Sequence, residues 1–417
     1  MTTGDIKLSI CIPTYNRSAF LRRTLQYYRE TVDLPFAYEI VISDNASTDD
    51  TPALVEEFIG YGMPIKYFRR ATNGGLEVNV MSTFHLVGGR YAVYTGDDDR
   101  LIMDGLREAV DYLDTNPVVS ACYAPWYQHN EIEGRDTHLF FELERDMRFV
   151  RRSYSEVFDF VTEGHIFPEA AIFSVSALRS LPIPGTFCYS PFMHLAHFLE
   201  FGDVAFLKKP FYRSIIQSAI ARDRVQAGHD EAMTSWDRYR GGLEYFLHTG
   251  LKRGAMTLSG DRGSRYQQVI QQFVFVRMSI ALKLWLGKKN YLKAHEIYVR
   301  LAANGLAGTP DLLPLRDILP RMASLQALAW TAGAVAGVSR LVLHGIGNIE
   351  PVERMLRDLG LPQDVAVVDK IDGDEKADMA KLLVLVPGDA ERQQFLDRGC
   401  LPNLVLRETD LSVSILV

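Results

Sequence analysis

The chain has 417 residues, a net charge of −7 and a pI near 5.8, with 47% hydrophobic and 23% charged residues. That length exceeds one ordinary core and predicts two or three domains. The composition is that of a soluble globular protein, and the acidic balance argues against a nucleic-acid binder, whose surface would be basic.

The N-terminus, MTTGDIKLSICIPTYNR, has no basic segment followed by a long apolar run, so no signal peptide is expected and the protein reads as cytoplasmic. Residues 8–12 are a short apolar run ended by Pro13, the pattern of a buried strand. A helix is predicted over 17–30, where Phe20, Leu21, Leu25 and Tyr28 recur at helical spacing. Residues 38–43 form a second strand, closed by the turn-rich segment 44–49. A helix over 52–60, a strand over 65–68 and a break at Asn73-Gly74-Gly75 follow. A helix over 78–86 then leads to a strand over 91–94, which ends at Gly96-Asp97-Asp98-Asp99. Strands alternating with helices predict an α/β fold with a mostly parallel central sheet. Such sheets bind ligands beyond the carboxyl ends of their strands. Thr14-Tyr15-Asn16, Asp44 to Asp49, and Asp97 to Asp99 all fall at that end.

Residues 118–235 are less regular, with strand-like pieces at 120–123, 170–174 and 203–207. Residues 236–335 read as a helical region, with helices over 266–286 and 291–301. The apolar stretch 273–286 carries Arg277 and Lys283 and is too short and too charged for a membrane span. A third unit, 336–417, reads as a small Rossmann-like α/β module that opens with His344-Gly345-Ile346-Gly347-Asn348. Position 350 is Glu where a dinucleotide fingerprint would place glycine, so no bound dinucleotide is expected. The four cysteines, Cys11, Cys122, Cys188 and Cys400, contain no CxxC pair, so reduced thiols are expected.

Three adjacent carboxylates at the end of a buried strand repel one another and call for a cation. Oxygen donors suit a hard ion, Mg²⁺ or Mn²⁺. A solvated acidic turn is the alternative reading of the same triplet. Asp44 can accept a base N–H or ribose hydroxyls, while Thr48 or Asp49 can cap the next helix. Tyr15 can stack on a base and Thr14 can hydrogen-bond to one.

Together LSICIPTYNR (8–17), YEIVISDNASTDDT (38–51), NGG (73–75) and YTGDDD (94–99) resemble glycosyltransferase family two, the inverting family with the GT-A fold. The resemblance is strong over residues 6–115 and loose over 116–225. It implies a GT-A nucleotide-sugar-binding domain over 1–235. Pro13, Thr14, Tyr15, Asn16, Asp44, Asn73, Gly74, Asp97 and Asp98 would then line the donor nucleotide. Asp97 and Asp99 would form the DxD pair, with Asp99 as the direct ligand of Mn²⁺ or Mg²⁺ and His229 as a further metal ligand. The donor implied is a nucleotide-sugar, most often UDP-linked. The acceptor would be a saccharide or lipid-linked saccharide in bacterial surface polysaccharide assembly.

The chain departs from the family where the acceptor-side base usually lies. Ser190-Pro191 stands in place of Glu-Asp, which leaves His194 and Glu169 as candidate bases. Two other readings stay open: a nucleotidyltransferase, and a non-catalytic nucleotide-sugar-binding protein. The basic, apolar segment 277–293 could serve peripheral membrane contact, a homo-oligomer interface or plain core packing.

Overall fold

Four apolar runs, each closed by a turn-forming segment, become four parallel neighbours. They are β1 (Leu8–Thr14), β2 (Tyr38–Asp44), β3 (Ile65–Arg69) and β4 (Tyr91–Tyr94), in the spatial order β3-β2-β1-β4. This computed structural model describes residues 6–181, 187–221, 232–371 and 378–415. Every residue of β1 is buried, as a strand covered on both faces requires. The helices α1 (Ser18–Thr31), α2 (Thr51–Gly60) and α3 (Leu76–Leu86) link these strands. On α1 the buried residues are Leu21, Thr24, Leu25 and Tyr28, one helical stripe. Register places Thr14 opposite Asp44, and Cys11 opposite Tyr94.

The chain then supplies β5 (Arg100–Leu101), α4 (Met103–Thr115), β6 (Val119–Tyr123), β7 (Tyr127–Asn130), β8 (Arg135–Leu139), β9 (Met147–Phe149), α5 (Tyr154–Glu163), β10 (Ala171–Ser174), α6 (Val175–Leu178), α7 (Ser190–Phe201), β11 (Asp203–Phe206) and β12 (Tyr212–Gln217). The main sheet has the order β3-β2-β1-β4-β10-β6-β11-β9. In it β10 runs antiparallel to β4 and β6, and β9 antiparallel to β11. The remaining strands are parallel, so the expected mostly parallel sheet is present. A second sheet, β5-β12-β7-β8, was not legible in the sequence. In it Arg100 stands directly opposite Arg213. Each has its own carboxylate, Glu131 for Arg100 and Asp136 for Arg213.

The chain divides into two compact units, one comprising residues up to 231 with 235–274, the other comprising 232–234 with 275–417. The helical stretch expected to stand apart at 236–335 is thus shared between them. Its longest helix, Arg262–Gly287, has 26 residues and is long and apolar enough to cross a membrane by length and composition. This revises the expectation that the segment is too short. Tyr266, Ile270, Phe273, Val274, Met278, Ala281 and Leu282 are buried at helical spacing, which is the pattern of a core stripe. The cations nearby have partners as well. Lys283 pairs with Asp311 at 2.9 Å, and Lys293 lies 4.2 Å from the centre of the Trp285 ring.

In the second unit β13 (Arg340–Leu343), β14 (Ala366–Val368), β15 (Leu382–Val386) and β16 (Val405–Arg407) form a parallel sheet in the order β14-β13-β15-β16. This matches the small Rossmann-like module read from the sequence. The helices that follow β13 and β15 carry Glu350 and Glu353, and Asp389 and Glu391, in their first turns. Those charges oppose a phosphate at the helix ends, where a dinucleotide would place one.

Candidate functional site

The ends of β1, β2 and β4 converge, and their polar residues interlock. Thr14 is the last residue of β1 and its Oγ1 donates to Asp97 Oδ2 at 2.7 Å. Asp97 also accepts from Arg17 Nε at 2.8 Å, and its carbonyl accepts from Thr24 Oγ1 at 2.8 Å. Arg17 reaches Asp98 through a second guanidinium nitrogen. Asp99 turns to the second sheet. Its Oδ2 accepts from the Tyr212 hydroxyl at 2.6 Å and its Oδ1 from the Ile215 amide at 2.8 Å. The triplet therefore opens like a fan, and one guanidinium lies between its first two blades.

Burial pushes the Asp99 carboxyl up to about 6, with Asp97 adding to the shift and Tyr212, Ile215 and Arg17 opposing it. The Tyr94 hydroxyl is raised by burial and then by Asp99, Asp97 and Glu169. All three carboxylates are thus within electrostatic reach of one side chain.

The chemistry of this donor set fits a hard divalent ion, since it consists of carboxylate oxygens at a strand end. Among the described residues, however, no group of three or more His, Cys, Asp or Glu side chains is placed to hold a metal ion. The rotamers give those oxygens to Arg17, Thr14, Tyr212 and Ile215 instead. His229 lies outside the described residues.

Asp44, at the end of β2, is fully buried. It accepts from the Ser47 amide at 2.8 Å and the Tyr67 hydroxyl at 2.7 Å, and Arg69 lies 3.6 Å away. Capping falls to Asp49, which accepts from Ser18 N at 2.9 Å and from Thr51 N at 3.1 Å, so it serves α1 and α2 at once. Asn16 has a positive φ of 52°, which Asn tolerates. Its Oδ1 accepts from Thr48 N at 2.7 Å, tying the β1 and β2 loops together. Tyr15 beside it is 41% exposed and available to stack. Pro13 is buried within β1. Asn45 Nδ2 donates to Asn73 Oδ1 at 2.8 Å, and its Oδ1 accepts from Gly74 N at 2.9 Å. This draws the Asn73-Gly74-Gly75 loop onto the β2 end.

Of the two candidate bases, Glu169 is the one beside the triplet. Ile172 of β10 faces Val93 of β4 in antiparallel register, so the residues leading into β10 run alongside those leading to Asp97. Glu169 is exposed, and the Tyr189 hydroxyl donates to its Oε1. Tyr189 is the N-cap residue of α7, the helix whose first residues are Ser190-Pro191. His194, one turn further on, has a buried Nε2 that meets no hydrogen-bond partner among the described residues, and burial lowers its pKa to about 4. Arg17, Thr24, Tyr212, Ile215 and Tyr67 all hold the site and were not singled out from sequence.

Residues 9–181 match the family described as Glycosyl transferase family 2. Among curated relatives, an abequosyltransferase of Salmonella typhimurium is 36% identical over 132 residues, 31% of this chain and 40% of its own length. A GalNAc(5)-diNAcBac-PP-undecaprenol beta-1,3-glucosyltransferase of Campylobacter jejuni is 30% identical over 107 residues, 24% of this chain and 32% of its own. The chain therefore spans less than half the length of these relatives. Among solved structures, Staphylococcus aureus TarS 1-349 in complex with UDP-GlcNAc superposes with a TM-score of 0.47 at 14% identity, covering 78% of this chain and 87% of that one. The mannosyltransferase PcManGT of Pyrobaculum calidifontis, in complex with GDP-Man and Mn²⁺, gives 0.43 at 16% identity, covering 78% and 85%.

Proposed function

We propose that this chain, whose residues 9–181 belong to glycosyl transferase family 2, is a metal-dependent inverting glycosyltransferase that uses a nucleotide-sugar, UDP-linked by first preference. The observation that supports this best is the meeting of Thr14, Arg17 and Asp97 to Asp99 at the carboxyl edge of a parallel sheet, with Glu169 alongside. On this reading Asp97 and Asp99 hold Mn²⁺ or Mg²⁺, which would neutralise charge on the departing nucleoside diphosphate. Tyr15 stacks on the base. Asp44 sets the pocket wall through Tyr67 and Arg69. Thr14 and Tyr212 hold the carboxylates in place. Glu169, oriented by Tyr189, takes the proton from the acceptor hydroxyl as it attacks the anomeric carbon. A single displacement of this kind inverts that carbon. Glu169 fits the role better than His194, because its carboxylate is exposed to an incoming acceptor whereas the Nε2 atom of His194 is buried.

The acceptor class proposed is a saccharide or lipid-linked saccharide of a bacterial surface polymer, and the GalNAc(5)-diNAcBac-PP-undecaprenol in the glucosyltransferase relative's name is a lipid-linked saccharide. Peripheral attachment at the inner face of the membrane accords with such an acceptor. A nucleotidyltransferase would release pyrophosphate, and nothing at the β1 end supplies the glycine-rich basic loop that it needs. Incubation with UDP-, dTDP- and GDP-sugars, with and without Mn²⁺, tests the reading. Release of nucleoside diphosphate from one of them, lost in Asp99→Ala, supports it. Tight nucleotide-sugar binding with neither hydrolysis nor transfer would instead identify a binding protein.

A further inference from the structure

Among the described residues, most of what holds the carboxylate triplet is neutral. Thr14, Thr24, Tyr212 and the Ile215 amide donate hydrogen bonds and leave the charge in place. Arg17 is different. It occupies the N-cap position of α1, and its guanidinium spans Asp97 and Asp98 while packing on the Phe20 ring, 4.3 Å from its centre. Its side chain is 30% exposed, against 8% for Asp97 and 17% for Asp98. Among the described residues, this positive charge, open to solvent on one side, thus stands against Asp97, one of the two carboxylates that would meet a divalent ion. A guanidinium and a metal cannot both take the same carboxylate oxygens. The guanidinium fork also fits phosphate as well as it fits carboxylate.

We propose that Arg17 is an exchangeable counter-ion, which neutralises Asp97 and Asp98 while the site is empty and passes to the donor's diphosphate when a divalent ion takes Asp97. The inference rests on the nucleotide-sugar reading. No covalent bond changes; the ion pairs of Arg17 with Asp97 and Asp98 give way to one with the diphosphate. A divalent ion arriving alone must eject Arg17 into water, and this weakens its binding. With diphosphate present the ejected guanidinium gains a partner. Metal and nucleotide therefore bind cooperatively, and by linkage each strengthens the other by the same factor, on the order of 5- to 100-fold.

The test uses the full chain, with Mn²⁺ binding followed by electron paramagnetic resonance and UDP binding by calorimetry, each with and without the other ligand. Wild type is compared with Arg17→Gln and Arg17→Lys. The exchange requires opposite signs in Arg17→Gln: Mn²⁺ alone binds more tightly, UDP with Mn²⁺ binds more weakly, and the coupling factor falls toward one. Arg17→Lys keeps a competing charge without the fork, so its coupling falls between the other two. If Arg17→Gln weakens both ligands, or changes neither, the exchange is wrong while the donor site stands. If wild type binds no UDP with or without Mn²⁺, and no dTDP or GDP either, the donor reading fails and takes the exchange with it.

Discussion

Asp99 pairs an unfavourable environment with a demanding role. Its carboxyl is desolvated, and in the metal-free protein it holds its proton up to about pH 6. A folded-state pKa above the unfolded value means that the protonated form favours the fold. That contribution is complete below the unfolded carboxylate value of about 4 and is lost as pH rises through about 6. A bound divalent ion reverses the balance, because it needs the ionised form. The thermal shift produced by Mn²⁺ is therefore expected to be small near about pH 5 and to grow through about pH 6. Asp99→Asn should remove the shift at every pH, and a variant that keeps it would place the metal elsewhere. Glu169 and His194 separate by kinetics. Glu169→Gln is expected to lower kcat by about 10²- to 10⁴-fold with donor KM and Mn²⁺ affinity unchanged. His194→Ala should leave turnover within a small factor of wild type. The reverse result would move the base to α7. Tyr189→Phe should cost less than Glu169→Gln, since it removes only the hydroxyl that orients the carboxylate.

Between elements the tightest constraint is Gly105. A Cβ added there would stand 2.1 Å from the carbonyl oxygen of Pro210 and 3.1 Å from Cα of Phe211. Pro210 and Phe211 lead directly into β12, and the Phe211 carbonyl accepts from Ile102 N at 2.9 Å. Gly105→Ala is expected to cost about 1–3 kcal/mol in denaturant unfolding. It should also weaken Mn²⁺ binding, because Tyr212 moves with its strand. The parallel half of the sheet was legible from β1 to β4, because β1, β2 and β4 are apolar runs that end in polar turn residues and the mixed strand β3 lies between helical segments. The strand ends then located Thr14, Asp44 and Asp97 to Asp99. What those residues touch was not legible. Tyr212 and Ile215 reach Asp99 from 113 and 116 positions away. They lie on β12, whose sequence YRSIIQ carries no continuous apolar run. Arg17 carries no signal of its role in the sequence, since an arginine at the head of a helix ordinarily faces water. Glu169 was named from sequence, but only the antiparallel pairing of β10 with β4 brings it beside the triplet.

Across the whole molecule, division into two units predicts unfolding in more than one step. Mn²⁺ with nucleotide should raise the transition of the N-terminal unit alone. Leu341→Ala, at a fully buried position of β13, should lower the other transition, at a cost of about 2–5 kcal/mol. A single calorimetric peak that responds to both would show the units to be thermodynamically one. The second sheet sets a different limit. Arginines facing each other across a strand pair repel, and Arg100 and Arg213 are tolerated because Glu131 and Asp136 stay ionised beside them. Both acids titrate below their usual range. Burial opposes ionisation, but it is outweighed by the Ala219 amide and Arg23 at Glu131, and by Arg213 and His129 at Asp136. Their contribution is present above the ordinary carboxylate range and is lost as pH falls through the lowered values. Acid therefore reaches this pair late, after Asp99 and the ordinary carboxylates have taken up their protons. The two arginines then lose their counter-charges, and the repulsion between their strands loosens the β12 grip on Asp99.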